Sequence, residues 1–183
     1  RYEIFYGDIL LMPFVWEKEG EIPHNFEVEY SHLAEIASPG YYGVRPENGI
    51  LCEMTVSPRV GYHRYDYVAH QQKGKEPQSP AETDNALRTG IVLDLYHRDE
   101  LLDFQILYVG KKEVYGYRRS KAWANNQIIY FWITFSEPFE KYYTLDKNNH
   151  TNKSGAKVAF DFGKKEKIEV KVGISGVDAK GAN

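Results

Sequence analysis

Short segments in which apolar and polar residues alternate dominate this sequence. ILCEMTV (residues 50–56) and KIEVKVGI (residues 167–174) both place apolar side chains at every second position. Successive side chains of a strand point to opposite faces of a sheet, so this pattern predicts strands with one buried and one solvent-facing side. QIIYFWITF (residues 127–135) is apolar or aromatic on both faces. It therefore predicts a central strand covered on two sides.

The rest of the chain repeats strand-like segments separated by turn residues. Hairpin turns are predicted at residues 47–49, 57–59, 109–111 and 136–138. Nine further strand candidates are DILLMPF, NFEVEYS, YYGVRP, VGYHRYDYV, IVLDLYH, DFQILYVG, KEVYGYRR, EKYYTLD and KVAFDFG.

This organisation predicts an all-β fold, an antiparallel β-sandwich with large sheets. The sandwich is expected to span residues 1–175 as one domain, followed by a frayed tail or linker start at 176–183. Residues 71–90 are polar and contain two prolines, which predicts a surface loop with one helical turn around 81–87.

Composition excludes several classes of function. A formal net charge of −3 gives no basic excess for nucleic acid or anionic membranes. No apolar run reaches the roughly 18 residues of a membrane span. No signal peptide opens the chain, which begins with Arg1, so we expect a processed product or a partial chain. Aromatic residues make up 15% of the sequence, which favours sheets first and ligand-stacking surfaces second.

Motifs for common enzyme chemistry are missing from the sequence. The six histidines make no spaced cluster with cysteine or carboxylates, so no metal site is expected. No nucleophile elbow, phosphate-binding glycine loop or dinucleotide fingerprint is present. The single cysteine, Cys52, is predicted to be a buried apolar residue. His63 and Arg64 should point to opposite faces of one strand, so at least one of them faces polar surroundings.

The three tryptophans differ in context. Trp132 lies in the doubly apolar strand and is expected in the core. Trp16 follows a strand in an acidic stretch, where it would either stack on a sugar from a loop or cap the core. The same two alternatives hold for Trp123 in SKAWANNQ.

Five segments in order resemble one protein family. GDILLMP, SHLAEIASPGYYGV, VGYHRYDY, IVLDLYHRD and AWANNQIIYFWITFSEPF together resemble the N-terminal β-sandwich domain of glycoside hydrolase family 92, the bacterial calcium-dependent exo-acting α-mannosidases. The match runs from about residue 7 to residue 139.

The resemblance implies a two-domain parent enzyme that is periplasmic, secreted or on the cell surface. Its sandwich would pack against an (α/α)6 barrel, with a mannose-containing glycan bound at their junction. Hydrolysis would be inverting, with an acid, a base and calcium ligands drawn chiefly from the helical domain. This segment is thus expected to supply no catalytic residue and to bind no metal, and to be inactive alone.

The front of the chain departs from the family pattern. Only RYEIFY precedes Gly7, whereas the family carries earlier strands and a His- and Gly-rich loop that reaches the mannose site. The N-terminal strands of the sandwich are therefore expected to be missing.

Asp8, Trp16, His32 and Glu35 are the candidates for substrate binding, because polar or aromatic residues at these positions lack an obvious core role. SHLAEIASPGYY is expected mainly to shape the sandwich and its contact with the helical domain. The alternatives are a stand-alone carbohydrate-binding module and a structural sandwich module.

Overall fold

The computed structural model describes residues 7–68, 87–145 and 154–183. Within these residues the chain forms strands and two short 3-10 helices, His32–Ala34 and Lys180–Ala182. No helix in the described part of the chain is long and apolar enough to cross a membrane. The strands are β1 (Leu10–Trp16), β2 (Glu35–Ser38), β3 (Tyr41–Val44), β4 (Leu51–Val56), β5 (Val60–Asp66), β6 (Arg88–Asp94), β7 (Glu100–Val109), β8 (Glu113–Lys121), β9 (Gln127–Phe135), β10 (Lys141–Thr144), β11 (Lys157–Asp161) and β12 (Lys167–Ser175).

The strands form two antiparallel sheets of unequal size. The large sheet has the order β2-β3-β4-β5-β12-β9-β8-β7, and the small sheet has the order β1-β6-β11-β10. Neighbouring strands pair antiparallel throughout the described residues. The all-β antiparallel sandwich predicted from the alternation is confirmed.

Two clusters of buried apolar side chains pack against the sheets. The larger one fills the space between them and joins residues such as Tyr65, Phe131 and Phe160, each at most 2% exposed. The smaller one covers the outer face of the small sheet, where Phe14 and Trp16 stack and Phe26 closes over them. Burying one large apolar side chain contributes about 1.5–3 kcal/mol, so both clusters matter for stability.

The strand registers give the large sheet two distinct ends. At the first end, which we call the Trp123 end, lie the turn at residues 122–126, the turn at 57–59 and the carboxyl end of β12. At the opposite end, the His32 end, lie the 3-10 helix at 32–34 and the chain after β9.

Two strand predictions differ from the structure. NFEVEYS (residues 25–31) forms no strand. Its backbone is irregular, and of its side chains only Phe26 is buried, where it covers the small sheet. β2 was not predicted. It forms because Gly40, with φ of +78°, turns the chain so that Glu35–Ser38 pairs with β3.

The prediction for QIIYFWITF is half correct. β9 is a central strand between β12 and β8, but only its inner face is fully buried. Trp132, expected in the core, points to the outer face, where it is partly exposed and stacks on Tyr115 at 4.7 Å between ring centroids. An aromatic pair on neighbouring strands stabilises an exposed sheet face without a second covering layer.

The connections are described only in part. The predicted loop at 71–90 falls mostly outside the described residues, and so does its helical turn. Its end is earlier than expected, because β6 begins at Arg88. Within residues 176–183, predicted as a frayed tail or linker start, the 3-10 helix Lys180–Ala182 packs against β12 and β9, while most of the other residues are exposed. Ala182 is 5% exposed there, and its carbonyl oxygen lies where a Cβ on Gly173 would be.

Candidate functional site

Asp8 is held in the interior of the Trp123 end. It is 4% exposed, immediately before β1. Arg118 Nη1 donates to Asp8 Oδ1 at 2.7 Å, and Gln127 Nε2 donates to Oδ2 at 3.2 Å. Asp8 thus has a core partner that the sequence did not reveal.

Arg118 is the centre of this group. It lies on the inner face of β8 and is 1% exposed. Its Nε donates to the carbonyl oxygen of Leu95 at 2.8 Å, and its Nη2 donates to that of Arg98. Burial lowers the pKa of the guanidinium, and the nearby Asp8 carboxylate opposes that shift. The side chain therefore ties β8 to the start of β1 and to the loop after β6.

His97 makes a second connection at the same place. Its Nδ1 lies 2.8 Å from the carbonyl oxygen of Asp94, and its Nε2 lies 2.7 Å from that of Gly7. We call Asp8, His97, Arg118 and Gln127 the Arg118 cluster. Its members bind one another and the backbone, which makes it a structural clamp.

Trp16 is buried instead of standing in a loop. It is the last residue of β1 and is 5% exposed, stacked on Phe14 at 4.9 Å. The guanidinium carbon of Arg88 lies 5.9 Å from its ring centroid. Because the side chain is almost completely buried, Trp16 offers no accessible ring face for a sugar in this structure.

His32 and Glu35 meet at the edge of the large sheet. His32 Nδ1 lies 2.8 Å from Glu35 Oε1, and Tyr42 donates its hydroxyl proton to Oε2 at 2.8 Å. The His32 and Tyr42 bonds lower the pKa of Glu35. Side-chain exposure is 85% for His32 and 25% for Glu35, so this pair, unlike Asp8 and Trp16, reaches solvent.

The four candidates consequently occupy three separate places. Asp8 belongs to the Arg118 cluster and Trp16 to the outer face of the small sheet. His32 and Glu35 form a pair at the opposite end of the large sheet from Asp8. The structure does not bring the four side chains into one site.

His63 and Arg64 point to opposite faces of β5, as predicted. Arg64 Nε donates to Glu53 Oε2 at 2.7 Å on the outer face. His63 faces inward beside the Tyr65 hydroxyl at 2.8 Å, and burial lowers its pKa to about 4. His63 is thus a neutral ring in the interior near pH 7.

An open groove lies next to His63 at the Trp123 end. Its volume is about 710 Å³. Its walls are formed by Ile9, by residues of β4, β5, β9 and β12, and by the turn residues 57–59 and 176–177.

No three histidine, cysteine or acidic side chains of residues 7–68, 87–145 and 154–183 are grouped in a way that could hold a metal ion. The acidic groups beside Arg118 do not fit a calcium site either, since Asp8 is bonded to the guanidinium and Asp99 lies 4.0 Å from it. Cys52 is buried, as predicted, and burial raises the pKa of its thiol to about 12.

Arg118 is the important residue that sequence reasoning missed. The signal is present in KEVYGYRRSK, because Val114, Arg118 and Ser120 share one face of the alternating strand. All three are at most 3% exposed. A single arginine on a buried face indicates a buried acidic or carbonyl partner elsewhere in the chain.

Comparisons with known proteins agree with the fold. The chain superposes on a family GH92 α-mannosidase from Bacteroides thetaiotaomicron, solved in complex with mannoimidazole, with a TM-score of 0.68 and 25% identity over 96% of this chain. A family GH92 inverting mannosidase of the same organism gives a TM-score of 0.66 and 21% identity over 95% of this chain. No curated protein matches the sequence.

The chain spans about a quarter of the length of these structural neighbours, 24% of the first and 22% of the second. Residues 4–175 match the family described as the glycosyl hydrolase family 92 N-terminal domain. The resemblance noted from the five sequence segments is confirmed. The chain belongs to the N-terminal domain family of glycosyl hydrolase family 92.

Proposed function

We propose that this chain is the non-catalytic sandwich portion of an exo-acting, inverting α-mannosidase, and that it lines part of the substrate cleft beside a separate catalytic domain. The observation that carries the proposal is the family match over residues 4–175, together with a structural superposition that covers only 24% of a mannosidase chain. A sandwich that spans about a quarter of the length of its structural neighbours leaves most of each of those chains to other domains.

The chemistry of inversion supports a non-catalytic role. Such an enzyme needs a carboxylic acid and a carboxylate about 6.5–9.5 Å apart. This separation leaves room for the attacking water between the carboxylate and the sugar. The buried carboxyl of Asp8 is bonded to Arg118, and Asp161 is bonded to Arg88 at 2.8 Å. A buried carboxyl whose oxygens accept hydrogen bonds from a guanidinium is occupied by that partner and is poorly placed to reach a glycosidic oxygen.

Among the four candidates, the His32–Glu35 pair is the one we propose for the cleft. The imidazole is accessible, and the carboxylate is oriented by Tyr42. Oriented polar groups of this kind bind sugar hydroxyls by hydrogen bonds. Asp8 and Trp16 would act indirectly, by fixing the strands that carry the wall.

We further propose that the parent enzyme is a bacterial protein of the periplasm or cell surface that requires calcium bound outside this chain. When bound, calcium would help to distort the mannose ring. The stand-alone carbohydrate-binding module is not favoured, because the chain matches a domain that makes up about a quarter of larger mannosidases. Of the two tryptophans expected as its platform, Trp16 is buried at 5% exposure, whereas Trp123 is 93% exposed.

The test uses the full-length parent polypeptide and an α-linked mannobiose with calcium. Release of mannose, first seen as the β-anomer by NMR, is the expected result. Release of the α-anomer, or release of a different sugar only, would contradict the proposal.

Residue variants test the cleft. His32→Ala in the parent should lower kcat/KM about tenfold, the equivalent of one lost hydrogen bond of about 1.4 kcal/mol. The matched control is Leu33→Ala, a neighbouring side chain that is 98% exposed. Equal effects of both substitutions would remove His32 from the cleft.

A further inference from the structure

The strand β7 forms a long, ordered edge of the large sheet. It has ten residues and is the last strand in the sheet order, so within the described residues no strand pairs with its outer edge. Its other edge pairs with β8 along almost its whole length. On the inner face, Tyr108 stacks on Tyr142 of β10 at 4.4 Å between ring centroids. The outer row of backbone N–H and C=O groups is therefore held in place for a further strand.

The second half of β7 lacks the features that usually block strand pairing at a sheet edge. FQILYV (residues 104–109) contains no charge and no proline, and its side chains Leu107 and Val109 are 37% and 45% exposed. Uncharged segments of this length and β-propensity pair readily with further strands. The register shift of the β7–β8 pair lies in the first half, between Leu101 and Asp103. The other edge strand, β2, is protected by its length of only four residues.

Opposite charges bound this segment symmetrically. Asp103 and Lys111 are both exposed and lie four residues before and four residues after Leu107. Asp103 shares the outer face of the sheet with Gln105, Leu107 and Val109, because alternate side chains of a strand point the same way. If two copies of β7 pair antiparallel about Leu107, each Asp103 lies opposite Lys111 of the other copy, and each Gln105 lies opposite Val109. Pairing about Gln105 would instead place each Asp103 opposite Leu107.

We propose that two copies of this chain associate through β7, by antiparallel pairing centred on Leu107. The dimer has twofold symmetry, the commonest form of self-association, and joins the two large sheets into one continuous sheet. A second copy fits this edge because its own β7 supplies an uncharged segment whose end charges run in the opposite order. The exposed ion pairs select the register, whereas the backbone hydrogen bonds and apolar side chains supply most of the stability.

Cysteine cross-linking tests both the pairing and its register. In the proposed dimer residue 107 lies directly opposite itself, with Cα atoms about 4.5–5.5 Å apart, which is within the range of a disulfide. Leu107→Cys should therefore give a cross-linked dimer under mild oxidation. Gln105→Cys is the register control, because its two copies would lie about 14 Å apart. The wild type is the blank, since its Cys52 is only 6% exposed.

A charge at the centre of the pairing gives an independent readout. Leu107→Lys places two ammonium groups opposite each other and should weaken the dimer at least about tenfold in sedimentation equilibrium. Val60→Lys is the matched control, since Val60 is 38% exposed but lies on β5 in the middle of the sheet. This control should leave the dimer unchanged. The thermal midpoint of each variant is measured to show that the monomer is folded.

The expected result is cross-linking of Leu107→Cys but not of Gln105→Cys, in the 183-residue chain and in the full-length parent alike. The proposal is overturned if neither variant cross-links, if Gln105→Cys cross-links as readily, or if Leu107→Lys sediments like the wild type. Cross-linking in the 183-residue chain but not in the parent also overturns it, because another segment of the parent would then cover β7. Neither readout involves mannose release, so both are independent of the proposed function.

Discussion

Replacing Arg118 by methionine should strongly destabilise the fold. The guanidinium is 1% exposed and makes hydrogen bonds to Asp8 and to the carbonyls of Leu95 and Arg98. Methionine fills much of the volume but leaves the Asp8 carboxylate, 4% exposed, with only the amide of Gln127. Removing one partner of a buried ion pair costs about 3–5 kcal/mol, and we expect a loss in that range.

A double variant measures the interaction between Asp8 and Arg118 apart from the other contacts of each side chain. Asp8→Leu combined with Arg118→Met removes both charges, so no unpaired ion is left in the interior. The double variant should be at least about 2 kcal/mol more stable than the sum of the two single losses predicts.

The measurement is urea unfolding followed by circular dichroism, with the free energy of unfolding obtained for the wild type, both single variants and the double variant. Strictly additive losses would show that the two side chains do not interact. A loss below about 1 kcal/mol for Arg118→Met would refute the view that the Arg118 cluster is a structural clamp.

Three further predictions concern other parts of the sandwich. Trp16→Ala should lower the free energy of unfolding by about 3–5 kcal/mol, measured in the same urea assay, because the ring is buried against Phe14. The His63 ring should show no NMR titration between pH 8 and 5. Because its folded pKa of about 4 lies below its ordinary value of 6.5, the unfolded chain binds the extra proton, and His63 should reduce stability as the pH falls from about 6.5 to about 4. Gly173→Ala should speed amide exchange of residues 177–183 but not of β12, because the new Cβ would lie 1.7 Å from the Ala182 carbonyl oxygen.

Local alternation was sufficient to predict the fold class. In β12 the side chains of Ile168, Val170 and Val172 are buried in alternation, so the sequence pattern and the burial pattern coincide there. In β4 the alternation buries Cys52 but not Val56, which is 72% exposed. NFEVEYS carries the same pattern and forms no strand, because its partner in the sheet would have to come from elsewhere in the chain. Strand pairing is a long-range property that a local pattern does not encode.

The candidate site was less predictable for the same reason. The partners Asp8 and Arg118 are 110 residues apart, so neither local segment predicts their ion pair. The His32–Glu35 contact spans only three residues, so both partners lie within one short segment of the sequence. Of the two alternatives for Trp16, a loop position or a place in the core, the structure shows the second, because β1 continues to this residue and its ring is buried.

The two sheets are unequal, with four strands in one and eight in the other. A groove of about 710 Å³ lies beside His63 at the Trp123 end of the large sheet. Of the buried carboxylates, Asp8 is bonded to Arg118 and Asp161 to Arg88, so both have structural partners.

The proposed non-catalytic role of this domain is tested most simply by assaying the 183-residue chain itself for mannose release. The purified chain is incubated with an α-linked mannobiose and calcium, and free mannose is followed against a heat-denatured control, with the full-length parent as the positive reference. We expect no mannose release by the 183-residue chain and clear mannose release by the full-length parent. Mannose release by the 183-residue chain above the denatured control would contradict the non-catalytic role proposed for this domain.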